Sequence, residues 1–156
     1  MSEPILFSFS GTPIGKGRPR ATVRGGYARV YTDSKTRKYE LAVAKIAKIT
    51  MGSQKPLEGP LSVSMRFRLA TPKSMSQRLR RAVLAGEEAY MGAYDLDNLI
   101  KAVLDPCNAI CFHDDKQVVR LFATKVASEK PGVDIRIEAL QPQPSEGICA
   151  ASIQSR

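Results

Sequence analysis

The sequence predicts a single α+β domain, a small mixed β-sheet packed with helices in the order β-α-β-α-α-β-β. Three observations lead there. A strictly alternating apolar run, Leu61, Val63, Met65, Phe67 and Leu69 against Ser62, Ser64, Arg66, Arg68 and Ala70, has the period of a strand with one buried face. A helical period runs from Tyr39 through Val43 and Ile46 to Thr50, with Lys38, Lys45 and Lys48 elsewhere. The chain has 156 residues, 43% of them hydrophobic, which suits one domain with a real core.

The remaining elements follow in chain order. Ile5, Phe7 and Phe9 alternate with Leu6, Ser8 and Ser10 and read as a first strand. Gly11 to Tyr31, rich in Gly, Pro and Arg, reads as an exposed basic loop. Asp33 or Ser34 caps the first helix and Gly52 ends it. A short basic helix is expected over Ser74 to Leu84, stopped by Gly86. Another is expected from Asn98 to Asp105, where Pro106 disfavours continuation. Gln117 to Ala127 and Val133 to Leu140 read as two strands joined by a turn at Lys130, Pro131 and Gly132. Residues 1–140 are expected to form the folded domain and 141–156, aperiodic and rich in Pro, Ser and Gln, a mobile tail.

Charge narrows the partner. Lys and Arg number 24 against 15 Asp and Glu, a formal net charge of +9, and such a balance attracts a polyanion, most commonly nucleic acid. No run approaches the roughly 18 apolar residues that cross a bilayer, and an acidic residue stands where a signal peptide needs positive charge. A cytoplasmic protein without membrane contact is therefore expected. Three cysteines are too few for a disulfide scaffold.

In this basic chain five acids fall within a short stretch: Asp95, Asp97, Asp105, Asp114 and Asp115. Two apart in extended chain, Asp95 and Asp97 share a side. Asp97 also stands where a helix N-cap is expected, with Lys101 one turn along. A helix start and a strand start are expected to bring the two acidic groups together. Carboxylates repel phosphate unless a cation lies between them, and Mg²⁺ takes oxygen ligands, keeps several waters and binds phosphate. It also activates water for attack at phosphorus. The plainer alternative makes these acids a cap, a turn residue and loop acids before a strand.

Other patterns carry less. Gly11 to Arg18 has the wrong spacing for a nucleotide-binding phosphate loop and reads better as a basic loop on DNA phosphates. Cys107, Cys111 and His113 lack a fourth zinc ligand in range, and buried thiols are the simpler reading. Lys73, Arg78, Arg80 and Arg81 form a second basic group, either a solvated helix face or the side wall of a DNA channel.

Asp95-Leu96-Asp97-Asn98-Leu99, Lys101, Asp105 and then Asp114-Asp115-Lys116-Gln117-Val118 resemble the signature of the RusA family of Holliday-junction resolvases, D-x-D-N-L-x-K followed by a short helix and D-D-x-Q-V. Gly15 to Arg20 resembles that family's basic G-R-P-R loop, and Tyr31-Thr32 with Thr36, Tyr39 and Glu40 the helix after it. Pro72-Lys73-Ser74 and Leu84-Ala85-Gly86 are similar to a stretch of the phage-type branch, and the likeness runs from Ile5 to Leu140. It implies a homodimeric, Mg²⁺-dependent endodeoxyribonuclease that cuts four-way junctions in pairs, in recombination and repair. It implies Asp95, Asp97 and Asp115 as catalytic, metal-holding carboxylates and Lys101 as the essential lysine. Lys16, Arg18, Arg20, Lys73, Arg78 and Arg81 would then contact DNA. A non-enzymatic nucleic-acid-binding protein and a nuclease for other branched DNA are the alternatives. Two departures stand out: Ala93-Tyr94 replaces Lys-Pro before the first aspartate, and Asp105-Pro106-Cys107-Asn108-Ala109 replaces D-A-L-N-G.

Overall fold

The computed structural model describes residues 3–17, 20–24, 27–31 and 33–141, and the side chains of these outside 18–32. The expected tail, 142 onward, lies outside the described residues. The elements are β1 (Ile5–Ser10), β2 (Arg20–Arg24), β3 (Tyr27–Tyr31), α1 (Ser34–Met51), β4 (Leu61–Leu69), α2 (Gln77–Ala85), α3 (Leu96–Cys107), β5 (Val118–Ala127) and β6 (Gly132–Ala139). The expected α+β order holds with one addition. The stretch read as a basic loop contains an antiparallel hairpin, β2 with β3, pairing Arg20 with Tyr31 and Arg24 with Tyr27. Its strands are short and interrupted by arginines, so no apolar alternation announced them.

β1, β6, β4 and β5 form one four-stranded sheet in that order. β4 is antiparallel to β6 and parallel to β5. Its alternating side chains Leu61, Val63, Met65, Phe67 and Leu69 are all buried, meeting Ile5 and Phe7 of β1 and Val133, Ile135 and Ile137 of β6 on one face. α1 and α3 cover that face. α1 buries Thr36, Tyr39, Val43, Ala47 and Met51. The buried ridge thus follows the i, i+4 row from Tyr39 to Met51, with Ile46 at its flank and Thr50 half-buried. Asp33 caps α1 by accepting from the Lys35 backbone N–H at 3.2 Å, and Gly52 ends it.

β5 and β6 are consecutive yet not neighbours, because β4 lies between them. The turn expected at Lys130 to Gly132 therefore crosses the end of β4. Ser128 N–H donates to Leu69 O at 2.9 Å, and Arg68 donates to Lys130 O at 2.8 Å while pairing with Asp134 at 3.1 Å. Gly132 is required at this crossing, since a Cβ there would lie 2.5 Å from Phe9 O and 2.6 Å from Arg68 Nη2.

Two helix boundaries differ from expectation. α2 starts at Gln77 rather than Ser74, capped by Ser76, which accepts from Leu79 N–H at 3.3 Å, and Gly86 ends it in a left-handed conformation at φ 77°. α3 begins two residues early, with Asp95 rather than Asp97 at the N-cap, and continues through Pro106 to Cys107. In the last turn a proline forgoes a single intrahelical bond, which costs less than in a helix interior.

Phe67 is fully buried at the centre of β4. Phe67→Ala is expected to lower stability by about 3–5 kcal/mol in urea unfolding. A change within about 0.5 kcal/mol would mean that the side chain carries no core packing.

Candidate active site

The acidic stretch becomes two separate structures. Asp95 is the N-cap of α3, yet its carboxylate makes no capping hydrogen bond. Asp97 lies in the first turn and Lys101 one turn further, its ammonium 3.7 Å from the Asp97 carboxylate. Because Asp97 is helical, the extended-chain argument that set it on one side with Asp95 does not apply. What brings the two carboxylates near one place is the helix N-terminus itself, where unpaired N–H groups and the macrodipole favour negative charge. Asp97 and Lys101 are 66% and 60% exposed. An exposed pair of this kind contributes only about 0.3–0.5 kcal/mol to a helix, so stability does not explain it.

The helix is set by the segment before the hairpin. Lys16 N–H donates to Asn98 O at 2.9 Å, its ammonium hydrogen-bonds Asp105, and it lies 3.4 Å from Glu40 of α1. One lysine thus ties the N-terminal segment to both helices. The hydrogen bond to Asp105 raises its pKa against the opposing effect of burial. A raised lysine pKa means that the pair's stabilisation is present below the ordinary value of 10.5 and fades only as pH rises through the higher folded value. Gly15 lies against the ring of Tyr94, where a Cβ would be 2.9 Å from Cδ1. Lys125 of β5 donates to Tyr94 O at 3.0 Å.

Asp114 and Asp115 precede β5 in a single 3₁₀ turn, Asp115–Gln117. Asp114 is occupied as its cap: it accepts from Lys116 N–H at 3.0 Å and pairs with the Lys116 ammonium at 3.1 Å. The hydrogen bond from the Lys116 backbone lowers its pKa. Gln117 Oε1 accepts from His113 and Asp114 N–H at 2.8 and 3.0 Å, and Nε2 donates to Leu57 O and Gly59 O at 3.1 and 3.0 Å. The amide of Gln117 therefore fixes the turn that presents Asp115 to solvent. In the sequence Gln117 falls within the motif and at an expected strand start, with no role given to its amide, although Gln three positions after a capping Asp is a capping-box spacing.

The two groups do not meet within one chain. Gly92 abuts Leu69 and Tyr94 O is held by Lys125, so the start of α3 lies at the Leu69 end of β4. The turn of Asp115 is held by Leu57 and Gly59, just before Leu61 at the other end. Nine residues of strand separate these ends by about 25 Å. α3 runs antiparallel to β5, which is why a helix start and a strand start are not juxtaposed. Among the described residues no three His, Cys, Asp or Glu side chains stand together as a metal site. The oxygen donors of Asp95 and Asp97 still suit Mg²⁺, which is commonly held by one or two carboxylates and its own waters. Cys107 and Cys111 are buried in the core, and hydrogen bonding to Cys111 together with burial pushes the Cys107 thiol up. They make no zinc site with His113.

Of the basic residues, Lys73, Arg78 and Arg81 are exposed on α2 and its lead-in. Arg80 is turned inward, donating to Pro72 O at 3.0 Å. The side chains of Arg18 and Arg20 lie outside the described residues. A groove of about 720 Å³, lined by Lys73, Met75, Leu79, Tyr90, Met91 and Tyr94 among others, runs between α2 and the start of α3. Among the described residues no helix is long and apolar enough to cross a membrane.

An α+β domain with an acidic helix start, a nearby lysine and exposed basic residues on α2 has side chains of the kind that phosphodiester chemistry on nucleic acid uses. The family model described as "Endodeoxyribonuclease RusA" matches residues 10–138, and the chain belongs to this family of endodeoxyribonucleases. A protein of Bacillus subtilis (strain 168) described as "Uncharacterized protein YqaN" is 31% identical over 142 residues, covering 85% of this chain and 94% of its own length.

Lys16→Ala is expected to lower stability in urea unfolding by about 0.5–1 kcal/mol, since it leaves Asp105 and Glu40 facing each other without a cation. Unchanged stability with a flatter salt dependence of DNA affinity would instead make Lys16 a phosphate contact.

Proposed function

We propose that the protein is a Mg²⁺-dependent endonuclease that resolves four-way DNA junctions by paired symmetric cuts, serving recombination and repair in the cytoplasm. The observation that carries this reading is the grouping of Asp95, Asp97 and Lys101 at the exposed start of α3 in a chain of the RusA family. Asp95, Asp97 and Asp115 would hold the metal. When bound, Mg²⁺ supplies polarisation of a phosphoryl oxygen and acidification of a water.

The chain's own residues do the rest. The N-terminus of α3 offers unpaired N–H groups and positive potential to a phosphate. Lys101 brings a positive charge one turn behind Asp97, where negative charge develops on the phosphoryl oxygens during attack. Arg18, Arg20, Lys73, Arg78 and Arg81 are proposed to bind the sugar-phosphate backbone, which positions DNA without reading its sequence, while the Lys16 ammonium is taken up by Asp105 and Glu40. A junction becomes two duplexes only when two strands are cut. Among the described residues each chain has one such helix start, so the working unit is proposed to be a two-fold homodimer.

The test is Mg²⁺-dependent nicking of a synthetic four-way junction beside a linear duplex of the same sequence. Asp95→Asn, Asp97→Asn and Asp115→Asn are each expected to reduce cutting by about a hundredfold or more while junction binding is kept or tightened. Near-native cutting removes that residue from the site. Junction binding without cutting by the unaltered protein, at any Mg²⁺ concentration, would favour a binding protein instead. Lys101→Ala is expected to lower turnover by roughly 10²–10³-fold with little change in junction affinity. A defect confined to affinity would make Lys101 a ground-state phosphate contact.

A further inference from the structure

We infer that the groove between α2 and the start of α3 receives one unstacked nucleobase of the DNA strand that is cut, with the ring of Tyr94 as its stacking platform. The inference rests on the proposed reading in which Asp95 and Asp97 act on a phosphodiester, and it adds a site for the base beside the cut.

The groove has the size and lining of a ligand site. Its volume of about 720 Å³ lies within the roughly 300–1,000 Å³ usual for such sites, and its walls are largely apolar. Leu79 from α2, and Met91 and Tyr94 from the approach to α3, are 41%, 79% and 38% exposed. Large apolar side chains left open around one hollow mark a surface that is covered in use.

Charge and position name the occupant. Among the described residues Lys73 stands in the lining and no carboxylate does. Arg78 and Arg81 lie exposed on α2, the helix that supplies one wall. An occupant with a flat, apolar-faced part and a negative part satisfies both features, and a nucleotide is such a molecule. The groove ends at Tyr94, the residue before Asp95, and consecutive Cα atoms are only about 3.8 Å apart. A nucleotide with its phosphate at Asp95 and Asp97 therefore has its base one sugar away, at the groove.

Tyr94 is held in place before DNA arrives. Its carbonyl accepts from the Lys125 ammonium at 3.0 Å. Gly15 leaves room for its ring, since a Cβ there would lie 2.9 Å from Cδ1 and 3.3 Å from Cγ. A ring fixed in this way loses little freedom when a base stacks on it. The Tyr90 hydroxyl donates to Ala70 O at 2.9 Å and fixes a second aromatic of the lining. Stacking serves every base, because every base has a π-face, and the flexible thioether of Met91 adapts to bases of different size. Such a site favours branched DNA. In a linear duplex a base reaches the groove only by leaving its pair and its stack, and that cost is least where pairing or stacking is already broken, as at a branch point.

The sequence contains no tryptophan, so Tyr94→Trp places a sole indole reporter in the groove. Asp97→Asn is combined with it to stop cutting. On titration with a four-way junction or with oligothymidylate, indole emission is expected to fall by about half or more, and with a linear duplex by less than about a tenth. Equal quenching by the duplex overturns the inference, and so does unchanged emission while the junction is bound. Tyr94→Leu fills the space without an aromatic ring. It is expected to weaken oligothymidylate binding roughly tenfold and duplex binding less than about twofold, and Tyr94→Phe is expected to bind as the unaltered protein does. A Tyr94→Phe variant as weak as Tyr94→Leu overturns the stacking role. An abasic nucleotide, moved one position at a time through the branch point, is expected at one position to abolish the difference in junction affinity between the unaltered and Tyr94→Leu proteins. The absence of any such position overturns the base site. A Met91→Asp variant that sediments as a smaller species than the unaltered protein makes the groove a contact between copies and overturns the inference as well. If the unaltered protein cuts no junction, the proposed function fails, while indole quenching and the abasic scan still decide the groove.

Discussion

The structure depends on the burial of one face of β4. Leu61, Val63, Met65, Phe67 and Leu69 enter the core from a strand flanked by β6 on one side and β5 on the other. Burying a large aliphatic or aromatic side chain contributes roughly 1.5–3 kcal/mol, and five along one strand make β4 the frame for every other element. β1 reaches the core through β6, and α1 and α3 lie across the apolar face. The antiparallel course of α3 over this frame decides which end of the molecule carries Asp95 and Asp97.

Polar contacts then refine what burial sets roughly. Arg68 and Gly132 hold the short connection that steps across β4, and Lys16 draws α1 and α3 together through Glu40 and Asp105. Gln117 uses both ends of its amide to hold the turn before β5. Each contact orients backbone at the edge of the core rather than adding to it. That is where catalytic side chains must be held, because they need solvent and substrate on one side and a rigid support on the other.

The division of labour among the acids follows the same logic. Asp114 and Asp105 are engaged in a cap and an ion pair, so their charges are already balanced inside the protein. Asp95 and Asp97 remain at an exposed helix start, and Asp115 faces solvent from its turn. In the proposed reading these exposed carboxylates are the ones a cation would neutralise to admit phosphate.

Much of the fold was legible in the residues alone. The alternation of β1 and β4, the caps at Asp33 and Gly52 and the stop at Gly86 each act over a few residues, so local pattern determines them. The motif around Asp95, Asp97, Lys101 and Asp115 was legible for the same reason, because the signature is written in spacing. Tertiary structure alone decided the rest. The hairpin in the basic loop has no apolar period, and the insertion of β4 between two consecutive strands is set by pairing over long separations. Most consequential is the course of α3: periodicity gives a helix its buried face but not its direction across a sheet. That direction places the aspartates at opposite ends of one chain.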